Sequence, residues 1–192
     1  MRDIRVWFQA QWGNGKFRIL FVSALLVVIA LGVEFVFLKY SILKSIRYLT
    51  LVLGLFFIAW IDGNSKRIPN KLLIILFIFR TVVLLIECIV YRSMWMSFII
   101  SFASGLLIAG GMFLLCYLLT RGAIGAGDVK LFAVIGYYLG SGAIFTVIFL
   151  TIVFAAGYST VRLIMKKTNM KEEIPFAPFV YIGTLVSMTL GV

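Results

Sequence analysis

Four long runs of mainly apolar residues, near positions 18–38, 45–61, 71–91 and 95–119, restrict what this chain can fold into more than any other feature. A helix that crosses a bilayer needs about 20 such residues, and lipid offers no partner for an unpaired backbone N–H or C=O. Two more apolar stretches follow, one over 129–165 and one from Pro175 or Phe176 onward. The first is too long for a single crossing and barely long enough for two, with Gly140-Ser141-Gly142 as the natural break. The pattern predicts an all-α fold, a polytopic membrane helical bundle of about seven transmembrane helices (six to seven).

A hydrophobic content of 63% exceeds the roughly half-apolar composition of soluble domains. The net charge of +11 does not indicate nucleic acid, because the bases lie in short clusters between apolar runs rather than on one soluble face. Membrane topology accounts for them. Arg2, Arg5, Lys16 and Arg18, then Lys66, Arg67 and Lys71, then Arg162, Lys166, Lys167 and Lys171 all fall on one side if spans alternate. By the positive-inside rule that side, with the N-terminus, is cytoplasmic. Lys39, Lys44, Arg47 and Arg92 then face outward, and Arg80 stays within the membrane. The lipid bilayer is thus one expected partner, and the expected location is the cytoplasmic membrane.

Residues 1–17, with Val6, Trp7, Phe8 and Trp12 among basic side chains, suggest a helix lying at the interface. The first run is followed by Lys39-Tyr40-Ser41 without a small-residue cleavage site, so it is expected to be a retained span rather than a signal peptide. Residues 1–45 therefore form an interfacial segment plus an extra span, and 46–192 a second unit. There is no histidine, and Cys88 and Cys116 each sit inside an apolar run, so no metal, disulfide framework or other cofactor is expected.

Against this background Gly125-Ala126-Gly127-Asp128 stands out, because it puts a carboxylate where a glycine-rich loop enters an apolar helix. An acid at a membrane edge pays a desolvation penalty and is by default a functional hypothesis. Asp62 is its counterpart, ending the run that precedes the polar turn Gly63 to Asn70. The alternation of spans brings both acids to the cytoplasmic edge. Gly122, Gly125 and Gly127 lack a Cβ and let another backbone approach the acid. Lys66, Arg67 and Lys130 lie near the acids, where topology alone explains them and a role in tuning charge or guiding a substrate is the alternative. Arg80 and Glu87, two helical turns apart, share a face and predict a structural ion pair. Gly105, Ala109, Gly110, Gly111, Gly136 and Gly140 predict close helix packing. An ion- or proton-coupled transporter would instead show internal repeats or acids near mid-bilayer, and neither is evident.

The sequence resembles the type IV prepilin peptidase family of GxGD intramembrane aspartyl proteases. An aspartate, several polar residues and I-P-N run from Asp62 to Asn70, and G-x-G-D-V-K-L runs from Gly125 to Leu131. A proline-containing segment of the P-F-x-P-F kind, Pro175 to Phe179, precedes the final apolar run. The resemblance covers roughly residues 50–192. It implies that Asp62 and Asp128 are catalytic, with Gly125, Gly127, Lys130, Pro69, Asn70, Pro175 and Pro178 shaping the site or binding substrate. The implied substrate is a pilin-like or archaellin-like precursor with a basic leader and a hydrophobic helix, cut at the cytoplasmic membrane edge. Large bifunctional members carry a domain with paired Cys-x-x-Cys motifs and also methylate the new N-terminus. Those motifs are not found in this sequence, so peptidase activity without methylation is expected. Presenilin-like proteases pair the G-x-G-D acid with Tyr-Asp and Pro-Ala-Leu, whereas here Ile61 precedes Asp62 and Phe179 follows Pro178. A silent pilus-assembly component with the same fold would have no chemical need for both acids. Two neighbouring carboxylates share one proton, and Asp128 at a helix N-terminus is the expected base, with Asp62 at a helix C-terminus holding the proton.

Overall fold

A computed structural model describes residues 41–120, 124–165 and 174–190, together with positions 15, 18, 21, 22, 25, 29 and 32. The described segments form α1 (Ile42–Ser65), α2 (Asn70–Val90), α3 (Trp95–Leu119), α4 (Ala126–Leu139), α5 (Ser141–Ile164) and α6 (Ala177–Thr189). Among the described residues all regular structure is helical. The chain is a multi-pass membrane protein. Among the described residues four helices, α1, α2, α3 and α5, are long and apolar enough to cross a bilayer. The expected pair of short spans over 129–165 becomes one short helix of 14 residues and one full-length helix of 24. Gly140, at φ +83, makes the break between them. The last helix, α6, has 13 residues and is only about 20 Å long. The interfacial segment 1–17 and the first span lie outside the described residues except for isolated positions, of which Phe21 meets Phe56 edge-on at 6.4 Å.

The bundle is arranged around α4. Leu131, Phe132, Ile135 and Tyr138 on this helix are fully buried in one core that also takes in Leu51, Leu55 and Ile58 of α1, Ile144 and Val147 of α5, and Tyr181 of α6. Apolar side chains such as Ile75 and Leu85 on α2, Leu107 on α3 and Phe149 on α5 are exposed, as expected of faces turned to lipid. The tightest contact joins α3 and α4. A Cβ on Gly105 would overlap the Gly136 carbonyl, and one on Gly136 would overlap that of Gly105. Beside this crossing Phe113 stacks on Phe132 with ring centroids 3.7 Å apart. Gly110 faces Ala133 in the same seam, whereas Gly111 faces open space and takes no part in it. Gly136→Ala is therefore expected to force α3 and α4 apart and cost about 1–3 kcal/mol, read as a lower melting temperature in detergent. An unchanged melt would show that the crossing tolerates the methyl group.

Away from the glycine-rich loop, Arg80 donates from Nη1 to Glu87 Oε2 at 2.9 Å, the pair expected from the sequence. Arg47 makes it a triad. Counted by topology among the cations of the non-cytoplasmic side, it is buried within α1 and donates from Nη1 to Glu87 Oε1 at 3.2 Å. Arg80 also donates from Nε to the Tyr137 carbonyl, tying α2 to α4. The Phe102 ring lies 4.1 Å from the Arg80 guanidinium and 4.8 Å from that of Arg47. Such a ring face attracts cations withdrawn from water.

Candidate active site

Where α1 ends and α2, α4 and α6 begin, the bundle opens into a cavity of about 600 Å³ lined by Asp62 and Asp128. Asp62 occupies the last turn of α1 and is 5% exposed. The helix stops at Lys66, which takes a left-handed conformation (φ +52) and donates its N–H to the Asp62 carbonyl at 2.8 Å. A non-glycine residue adopts this conformation at a cost of about 1–2 kcal/mol, offset here by the capping bond. Pro69, with no N–H to lose, then stands in extended conformation at the N-cap of α2.

Asp128 lies in the first turn of α4, a helix outside the four of spanning length. Gly125 caps that helix and its N–H is directed at the Asp128 carboxylate. A Cβ on Gly125 would stand 3.1 Å from Asp128 Oδ2, and one on Gly127 would stand 3.0 Å from the Ile68 Cβ. Both glycines therefore occupy places where a side chain would crowd the acid or the adjoining turn. Burial, and then the nearby Asp62 carboxylate, push Asp128 up to about 6.

The third contribution comes from the start of α6. Pro178 is in its first turn, where a missing N–H costs nothing, and Ala177 donates its N–H to Asp62 Oδ2 at 2.9 Å. The Phe176 N–H also faces that carboxylate. Asp62 thus lies at the C-terminus of its own helix but at the N-terminus of another, where donors and dipole favour negative charge. This removes the premise on which the sequence made Asp62 the proton holder.

Of the residues to which the sequence points, Gly125, Gly127, Asn70, Lys130 and Pro175 line the cavity with the two acids. Pro69 and Pro178 do not line it, and shape the helix starts on either side. Ile68, Ala126, Ile174 and Phe176 complete the wall, and Lys66 and Arg67 stand at it with Lys130, so three cations border the cavity of the two acids. The wall apolar groups carried no advance signal beyond the I-P-N and P-F segments that contain them. Among the described residues no three metal-ligating side chains converge. The arrangement offers two interacting carboxylates at the wall of one cavity.

The type IV leader peptidase family matches residues 49–160. A Bacillus subtilis protein named prepilin leader peptidase/N-methyltransferase is 28% identical over 137 residues, covering 71% of this chain and 52% of that protein. A Burkholderia pseudomallei protein of the same name is 36% identical over 90 residues, covering 44% of this chain and 29% of that protein. The chain thus spans about half the length of the first relative and less than a third of the second. No solved structure matches it significantly. Because the family match takes in both acids, the Ile68-Pro69-Asn70 turn and more than half of the sequence, this chain belongs to the type IV leader peptidase family.

Proposed function

We propose that this protein is a membrane aspartyl endopeptidase that removes the basic leader from pilin-like precursors at the cytoplasmic face of the cell membrane, with residues 46–192 as the peptidase unit. The observation that carries the reading is the meeting of Asp62 and Asp128 in one cavity at one end of the bundle. The distribution of Lys and Arg supports the cytoplasmic assignment of that end.

In the proposed mechanism the pair holds one proton. Asp62, which accepts the Ala177 N–H, serves as base toward water. Asp128, held high by burial and by its neighbour, keeps the proton and donates it to the scissile carbonyl oxygen. Attack of the water oxygen on the carbonyl carbon gives a tetrahedral diol. The proton taken up by Asp62 then passes to the leaving amine, the C–N bond breaks, and a diol hydroxyl returns its proton to Asp128. These roles reverse those expected from the sequence.

The test is co-expression with a pilin-like precursor that carries a basic leader. A shortened product with a single new N-terminus after the leader is expected. An intact precursor, with ion flux in vesicles holding the purified protein, would point to transport instead.

A pH dependence follows from the same pair. Below about 6 Asp128 is protonated and above it ionised, so the one-proton form is lost as pH rises. The expected profile of kcat/KM is a bell whose alkaline limb falls near pH 6, that of kcat being displaced upward as bound peptide excludes water. A rate that climbs steadily from acid to alkaline pH would contradict a shared proton.

A further inference from the structure

The two acids sit on helices that touch only lightly. α1 packs chiefly against α6 and α2, and α4 packs chiefly against α3. Yet a one-proton pair works only at a narrow separation, since about 1 Å of misplacement can cost 10²-fold in rate. The link between them runs through the turn after α1. At one end of this turn the Lys66 N–H bonds the Asp62 carbonyl at 2.8 Å. At the other end Asn70, the first residue of α2, accepts a hydrogen bond at Oδ1 from Lys130 Nζ at 3.1 Å. Lys130 follows Asp128 by two positions on α4. Between these two points Ile68 rests on Gly127, so closely that a methyl group there would crowd it. Ile68, Asn70, Gly127 and Lys130 all border the cavity that holds both acids.

We propose that the Ile68-Pro69-Asn70 turn and Lys130 form a latch that sets the distance between Asp62 and Asp128, with Asn70 and Lys130 acting as positioning residues rather than as contacts to the substrate. The inference rests on the peptidase reading above. It gives a physical reason for Asn70 and Lys130 to stand where they do: each is one half of a charge-assisted bond joining the segments that bear the acids. Positive-inside topology requires a cation near Lys130, but it does not require an amide acceptor opposite.

The test is a double-mutant cycle on cleavage of the precursor in membranes. Lys130→Ala and Asn70→Ala are each expected to lower kcat about tenfold with KM within twofold, and the double variant to be no more than threefold below either. Asn70→Asp, which keeps an acceptor for the ammonium, should stay within threefold of wild type. The exchange Asn70→Lys with Lys130→Asn rebuilds the bond in the opposite sense and should recover most of the loss. Losses that multiply to about a hundredfold, a rise in KM in place of the fall in kcat, or an exchange no better than the double alanine variant would each overturn the latch. Should the alanine variants fail to accumulate, Lys130→Gln with Asn70→Asp and the exchange decide by the same criteria. Wild type that leaves the precursor intact sinks the peptidase reading and the latch with it, whereas multiplicative losses in an enzyme that cleaves sink the latch alone.

Discussion

Asp62→Asn and Asp128→Asn are each expected to leave a folded, membrane-inserted protein that cleaves its precursor on the order of 10⁴-fold more slowly than wild type, or slower. Asparagine matches aspartate in shape, and at position 62 its amide oxygen still accepts the Ala177 N–H that now reaches Oδ2. It cannot take a proton from water. At position 128 it keeps a group of the same size beside Gly125 but has no acidic proton to deliver to a carbonyl oxygen. The double variant should be scarcely worse than either single one, because the two groups act as a unit. Single-turnover cleavage, read beside a melting curve in detergent, separates lost chemistry from lost structure. Activity within tenfold of wild type in either variant would remove the acid pair from the mechanism.

Glu87→Ala should be the most damaging change outside the cavity. Glu87 is the acid that both Arg47 and Arg80 contact, at 3.2 and 2.9 Å, and Arg80 is fully buried. Removing one partner of a buried ion pair leaves charge uncompensated and costs about 3–5 kcal/mol. Here two guanidiniums would be stranded, relieved in part by the rings of Tyr48, Phe102 and Tyr137 and by the Tyr137 carbonyl. Poor accumulation and a sharply lower melting temperature are expected. Replacing Arg80 and Glu87 together by methionine should recover part of the loss, because only Arg47 is then left without its acid, beside the Tyr48 and Phe102 rings. Recovery would show that the triad's contribution is mutual neutralisation; a double variant worse than Glu87→Ala would show that the Arg80 bond to α4 matters more.

Much of the fold could be read from apolar length and glycine. The run at 95–119 matches α3, and Gly140 breaks the stretch that follows Val129. Helix length within that stretch was less legible, because a 14-residue helix surrounded by others needs no lipid-facing span and leaves no mark distinguishing it from half of one. Span alternation gives Arg47 a side of the membrane but no partner, since Glu87 lies 40 positions away. A triad between helices has no period in the sequence. The i, i+7 relation of Arg80 and Glu87 does, and that pair was foreseen. At the cavity, Asp62, Asp128 and the glycines were legible because acids are scarce in this chain and glycine next to one is conspicuous. The donor to Asp62 was not. It is a backbone N–H, which every residue except proline carries, and only the fold shows that Ala177 presents it.

That same bond bears on how the protein is made. Ala177 lies 115 residues after Asp62. A chain still on the ribosome can therefore have threaded both acids into the membrane while the group that steadies one of them is unsynthesised. Under the proposed mechanism the base gains its Ala177 donor only when α6 docks, so the pair reaches its working arrangement with the last helix in place.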